Sequence, residues 1–254
     1  MTDMNHTDTD YAIECTDVRL RYPHQHTEAL AGINLAIPQG VICGLFGRNG
    51  AGKTSLMALL AGLRRPSGGS VRVLGESPWE NARVAPQVAY VFPKSKSDAT
   101  INSIRARDLL KMGALLRPHW DAGLAEHLLK RFDVPLKKPG SKMSQGQAAA
   151  LRCAIGLASR APLTIFDEAY LGMDAVYRKI FIDELLTDYL RYPRTILFST
   201  HYIAEMERLF SEAIIIDAGQ ILIHDDADTL REQGKTLQDL FINLTLKEGE
   251  SYDN

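Results

Sequence analysis

Residues 47–54, GRNGAGKT, restrict the fold more than any other stretch, because they lie between an apolar run, VICGLF, and a helically spaced one, SLMALLAGL. An unbroken apolar run is the pattern of a strand buried on both faces. Strand, glycine-rich turn and helix in that order let backbone N–H groups close around an anion, with the positive end of the helix dipole behind them. The spacing G-x-x-x-x-G-K-[ST] is met by Gly47, Gly52, Lys53 and Thr54. Lys53 then places a positive charge near the β- and γ-phosphates of a nucleotide, and Thr54 offers a hydroxyl to Mg²⁺. Asn49, Gly50 and Ser55 complete the loop as candidate nucleotide contacts.

The rest of the chain predicts an α/β fold around this loop. Alternating segments between Tyr11 and Pro38, AIECTDVRLRY and LAGINLAI, read as a partly exposed antiparallel sheet. Short apolar runs, VAYVF, PLTIFDEA, RTILFSTH and EAIIIDAGQILI, alternate further on with helical patterns, which predicts a mostly parallel, helix-covered sheet. Between Ile101 and Val134 apolar residues recur three and four apart, broken at Pro118, and predict a helical subdomain inserted at about residues 98–160. A polar, acidic start (1–10) reads as a disordered lead-in, residues 11–245 as one domain, and 246–254 as a flexible tail.

Composition narrows the partners. A net charge of −2 with 24% charged residues gives no global basic field for nucleic acid, and none is expected as a partner. The three cysteines, Cys15, Cys43 and Cys153, have no metal-ligand spacing and suit a reducing compartment. No stretch reaches the roughly 18 apolar residues of a membrane span. A membrane role would need another chain to cross.

Asp167 and Glu168 stand together at the end of LTIFDE. Adjacent acids at a strand end are often a solvated turn. Beside a phosphate loop their roles separate: Asp167 can orient a metal, usually through water, and Glu168 can polarise an attacking water as general base.

Three further segments follow in order: SKMSQGQ (141–147), LGMD (171–174) and FSTH (198–201). With the phosphate loop and the acidic strand end, these resemble the ATP-binding subunit of ABC transporters, from Tyr11 to about Thr245. The resemblance implies a P-loop NTPase fold, ATP and Mg²⁺ as ligands, and ATP hydrolysis. It also implies two ATPase domains, as a homodimer or heterodimer, stacked head to tail so that each signature covers the other domain's nucleotide. On that pattern Ser144, Gly146 and Gln147 contact the partner's nucleotide, Asp174 belongs to the loop beside it, and His201 touches the γ-phosphate. Tyr22 resembles the aromatic that stacks on adenine. Ser144 can also simply cap the helix that follows.

In SKMSQGQ, Met143 and Gln145 replace the leucine and first glycine of the family's LSGGQ. Pro93 or Lys94 stands where the family has a glutamine, which implies a loop without that metal contact; Lys94 and Lys96 can instead meet acids on a partner. Ala169 replaces a proline. The insert and the tail resemble bacterial exporter-type ATPases of antibiotic-resistance and envelope-stress systems. The implied function is to energise a membrane exporter, with the chain cytoplasmic and peripheral at the inner face of the cell membrane through a separate transmembrane permease. The alternative is a soluble ABC-type ATPase of an assembly pathway such as iron-sulphur cluster biogenesis.

Overall fold

The computed structural model describes residues 10–92, 103–232 and 236–247. Strands β1 (Tyr11–Leu20), β2 (Leu30–Pro38) and β4 (Gly68–Val73) form a three-stranded antiparallel sheet with β1 in the middle. The alternation in LAGINLAI sends Ile33, Leu35 and Ile37 inward, as a sheet with one wet face requires.

The second sheet has six strands in the order β5 (Val88–Val91), β6 (Leu163–Asp167), β7 (Thr195–Ser199), β3 (Ile42–Phe46), β8 (Glu212–Asp217) and β9 (Gln220–Asp226). All but β9 run parallel to their neighbours. EAIIIDAGQILI folds as a hairpin rather than as another parallel strand: Ala218 (φ 43°) and Gly219 (φ 77°) form the two-residue turn. Every residue of β3, β6 and β7 is buried, which accounts for their continuous apolar runs.

One core lies between the two sheets and packs Ile13, Ile33, Leu45, Ile165 and Leu197 against Leu56 and Leu60 of α1 (Lys53–Leu60). The other covers the opposite face of the six-stranded sheet. Phe166 stacks on Phe198 at 4.7 Å and meets Phe181 edge-on at 5.4 Å. Phe181 belongs to α5 (Ala175–Arg191), and Cys153, Ala154 and Leu157 of α4 (Gln145–Ala158) join the same core.

The helical insert is present as α2 (Ala106–Leu116) and α3 (Ala122–Arg131), separated at Pro118 as the sequence requires. Asp121 caps α3, accepting from the Leu124 N–H at 2.8 Å. The chain continues through α6 (Ile203–Met206), α7 (Ala227–Glu232) and α8 (Leu237–Lys247). The start of the expected insert (98–102), Pro93, Lys94 and Lys96 lie outside the described residues, as do 1–9 of the lead-in and 248–254 of the tail.

Because β3, β6 and β7 are parallel neighbours, their C-terminal ends reach one edge together: Asp167 pairs with Ser199, and Leu45 pairs with Ser199 from the other side. Crevices at that edge are where open α/β sheets bind ligands.

Candidate nucleotide site

The loop between β3 and α1 opens on a cavity of about 620 Å³ whose walls include Arg48, Asn49, Gly50, Gly52, Lys53, Thr54, Ser55, Tyr90, Asp167 and Glu168. Gly47 is buried beneath the loop, where a Cβ would sit 2.4 Å from the Ile216 carbonyl oxygen. Gly52, at φ 109°, turns the backbone into α1 and leaves that helix without a side-chain cap. Thr54 is exposed and lines the cavity.

Lys53 is almost wholly buried, and its Nζ donates to the carbonyl oxygens of Gly47 at 2.6 Å and Arg48 at 3.1 Å. Burial lowers its pKa from the ordinary lysine value, while Glu168 and Asp167 pull in the opposite direction. An anion in the cavity would relieve the same desolvation cost.

Asp167 is held at both carboxylate oxygens: the Tyr90 hydroxyl donates to Oδ2 at 3.0 Å and the Ser199 hydroxyl to Oδ1 at 2.8 Å. Ser199 Oγ in turn accepts from the Glu168 N–H at 3.0 Å. Glu168 adopts φ 46°, rare for a side chain of its size, and Oε1 lies 2.6 Å from His201 Nε2. That strained turn leaves Asp167 pointing into the sheet edge and swings Glu168 toward the cavity and His201. Burial, followed by the Asp167 charge, raises the Tyr90 phenol above its ordinary pKa, so it remains a donor.

Tyr22 follows β1, and its hydroxyl is 3.0 Å from that of Ser55. The Arg64 guanidinium covers the ring, 4.6 Å from its centre. One aromatic face is thus already engaged by a cation.

Ser144, Gly146, Gln147 and Asp174 do not line this cavity. Ser144 begins α4 with a reciprocal capping box: Oγ accepts from the Gln147 N–H at 3.1 Å, and the Ser144 N–H donates to Gln147 Oε1 at 3.4 Å. Gln147 Nε2 also donates to the Asp133 carbonyl at 2.9 Å. Asp174 caps α5, accepting from the Tyr177 N–H at 2.8 Å. These two helix starts touch, since a Cβ on Gly146 would come within 3.3 Å of the Gly172 carbonyl.

Residues 30–171 match the family model described as ABC transporter. The chain belongs to the ABC transporter family. It is an ATP-binding subunit and an ATPase of that family. It is 30% identical over 226 residues to the Nod factor export ATP-binding protein I of Sinorhizobium fredii, covering 87% of this chain and 64% of that protein. It is also 30% identical over 232 residues to the nickel import ATP-binding protein NikE of Escherichia coli, covering 85% and 86%. A solved structure of the ATP-binding subunit of an ABC transporter shares the fold, with a TM-score of 0.78 at 23% identity over 92% of this chain and 99% of that one.

Among the described residues, no group of three or more His, Cys, Asp or Glu is arranged to hold a metal, and no helix is long and apolar enough to cross a membrane. The oxygens of Thr54 and Asp167 nevertheless fit Mg²⁺, which keeps most of its waters and takes one or two protein ligands beside the nucleotide's phosphates. Each Asp167 oxygen accepts one hydrogen bond and keeps a lone pair free for the ion or for a water bound to it. Tyr90, Ser199 and Arg64 were not singled out from sequence. Only Ser199, inside FSTH, stood in a motif.

Proposed function

We propose that this ABC ATPase energises an exporter-type permease by closing as a head-to-tail dimer around ATP. The separation of the two half-sites carries the reading. Lys53, Thr54, Asp167 and Glu168 line one cavity and His201 stands behind it against Glu168, whereas Ser144, Gly146, Gln147 and Asp174 lie together elsewhere. A second copy, or a homologous subunit, would bring the missing half to each cavity.

In this arrangement backbone N–H groups from Asn49 to Ser55 cradle the phosphates, and Lys53 leaves its carbonyl partners to meet the β- and γ-oxygens. Tyr22 exchanges its contact with Arg64 or uses its other face to stack on adenine. Glu168 takes the proton of the attacking water, while His201 fixes the geometry of Glu168 and contacts the γ-phosphate. Thr54 and Asp167 would hold Mg²⁺ brought with the nucleotide, which would supply positive charge to the phosphate oxygens.

Export is supported by the resemblance of the helical insert and tail to exporter-type ATPases and by the likeness to a Nod factor export protein. Equal identity to a nickel import protein makes direction the sharpest point of the proposal. The chain would sit at the cytoplasmic face of the membrane, held by its permease. Inside-out vesicles carrying chain and permease should accumulate substrate when ATP is supplied outside; ATP-driven loss would reverse the assignment.

Glu168→Gln tests the chemistry. Turnover should fall by about 10²- to 10⁴-fold with ATP binding retained. ATP should then trap a dimer visible by size-exclusion chromatography with light scattering. Undiminished hydrolysis would remove Glu168 from its role.

A further inference from the structure

Arg178, one turn into α5, makes three contacts that join two separate loops. Its Nη1 donates to the carbonyl oxygen of Met173, the residue before Asp174, at 3.0 Å. Nε and Nη2 donate to Oε2 and Oε1 of Glu205 in α6 at 3.0 and 3.1 Å, a bidentate fork. The guanidinium carbon lies 4.3 Å from the ring centre of Tyr202, the neighbour of His201. One planar cation therefore touches the residue preceding Asp174 and the residue following His201. Its side chain is 15% exposed and that of Glu205 44%, so the bidentate fork and the contact with Tyr202, more than burial of the pair, fix the geometry.

Contacts continue from both ends. The Asp174 loop abuts the start of α4, where the Gly172 carbonyl leaves no easy room for a Cβ on Gly146. At the other end, His201 Nε2 reaches Glu168 Oε1 at 2.6 Å. We propose that Arg178 is a positioning residue that couples the Asp174 loop to the His201 loop, so that docking of the partner chain is transmitted to the His201–Glu168 pair and holds it for hydrolysis. This coupling presupposes the head-to-tail dimer proposed above. Arginine suits such a rigid link, because a guanidinium fork fixes angle as well as distance, which a lysine ammonium does not.

The test uses steady-state hydrolysis by the full chain, with ATP affinity and melting temperature measured in parallel. Arg178→Ala should lower kcat by about 10-fold or more, since small displacements of reacting groups are costly, while ATP affinity is retained. Arg178→Lys should recover part of that loss. Arg178→Ala combined with Glu205→Ala should be scarcely worse than Arg178→Ala alone, as members of one coupled unit behave. An unchanged kcat in Arg178→Ala, or strictly additive losses in the double variant, would overturn the coupling. If Arg178→Ala does not fold, Glu205→Gln replaces it, and unchanged kcat there overturns the coupling equally. Glu168→Gln in the same assay separates the two levels. Full turnover in Glu168→Gln removes the underlying mechanism, whereas an inactive Glu168→Gln beside a fully active Arg178→Ala removes only the coupling.

Discussion

The starts of α1 and α4 are both glycine-containing helix N-termini, yet their backbone donors are treated in opposite ways. At α1, Gly52 is the N-cap, no side chain closes the first turn, and a cavity of about 620 Å³ lies in front of it. At α4, Ser144 and Gln147 bond reciprocally to the same backbone positions. The first start leaves its donors to a ligand, with buried Lys53 beside them. The second closes two of its donors, the N–H groups of Ser144 and Gln147, within its own chain, so a phosphate there would meet a partly filled cap. What distinguishes a binding helix start from a structural one is therefore where its N–H groups find acceptors, since glycine is common to both.

Ser144→Arg tests this contrast most severely. The long cation sits at an exposed position outside the cavity, so the isolated chain should bind ATP as before. Turnover should nonetheless fall by about 100-fold or more if the α4 start must approach the partner's nucleotide. Normal dimerisation and turnover, read by light scattering and phosphate release, would leave SKMSQGQ as a cap alone.

Lys53→Ala attacks the other helix start. Loss of charge-assisted hydrogen bonds of about 1.5–3 kcal/mol should weaken ATP binding about 10- to 100-fold, measured by equilibrium titration of the Glu168→Gln background. Unchanged affinity would mean that the loop does not hold the phosphates. The two variants separate the sites: one spoils binding, the other closure.

Much of the first site was legible because its signals are local. A buried strand, the glycines, Lys53 and the following helical period occupy consecutive residues, and the two acids end an apolar run. The capping role of Ser144 was also readable, since Gln147 stands three positions on. The clamp on Asp167 was not. Tyr90 and Asp167 are distant in sequence, and they meet only because β5 lies parallel beside β6. Ser199 joins them through the β6–β7 register, which no periodicity specifies. For the same reason EAIIIDAGQILI did not declare its hairpin: apolar period alone does not distinguish a parallel strand from an antiparallel return.

Tyr90→Phe probes that unread contact while preserving the ring in β5. Partners that hold a metal-orienting carboxylate commonly contribute 10- to 100-fold to metal affinity or activity. The Mg²⁺ concentration for half-maximal hydrolysis should rise by about 10-fold, with metal-free nucleotide affinity unchanged. If Mg²⁺ dependence stays as it was, Ser199 alone holds Asp167 in place.

The smallest effect belongs to the cap itself. Ser144→Ala removes the acceptor for the Gln147 N–H and should cost about 1 kcal/mol, lowering Tm by about 2–4 °C in a chain of this size. Ser144→Asn keeps a side-chain acceptor and should keep the stability, while replacing the hydroxyl by a bulkier amide. Comparing the two divides the roles of one atom. Stability lost only in Ser144→Ala, with turnover lost in both, would mean that the same Oγ caps its own helix and contacts the facing nucleotide. Full turnover in both variants would confine the Ser144 hydroxyl to the cap and leave any contact with the facing nucleotide to the backbone of the α4 start.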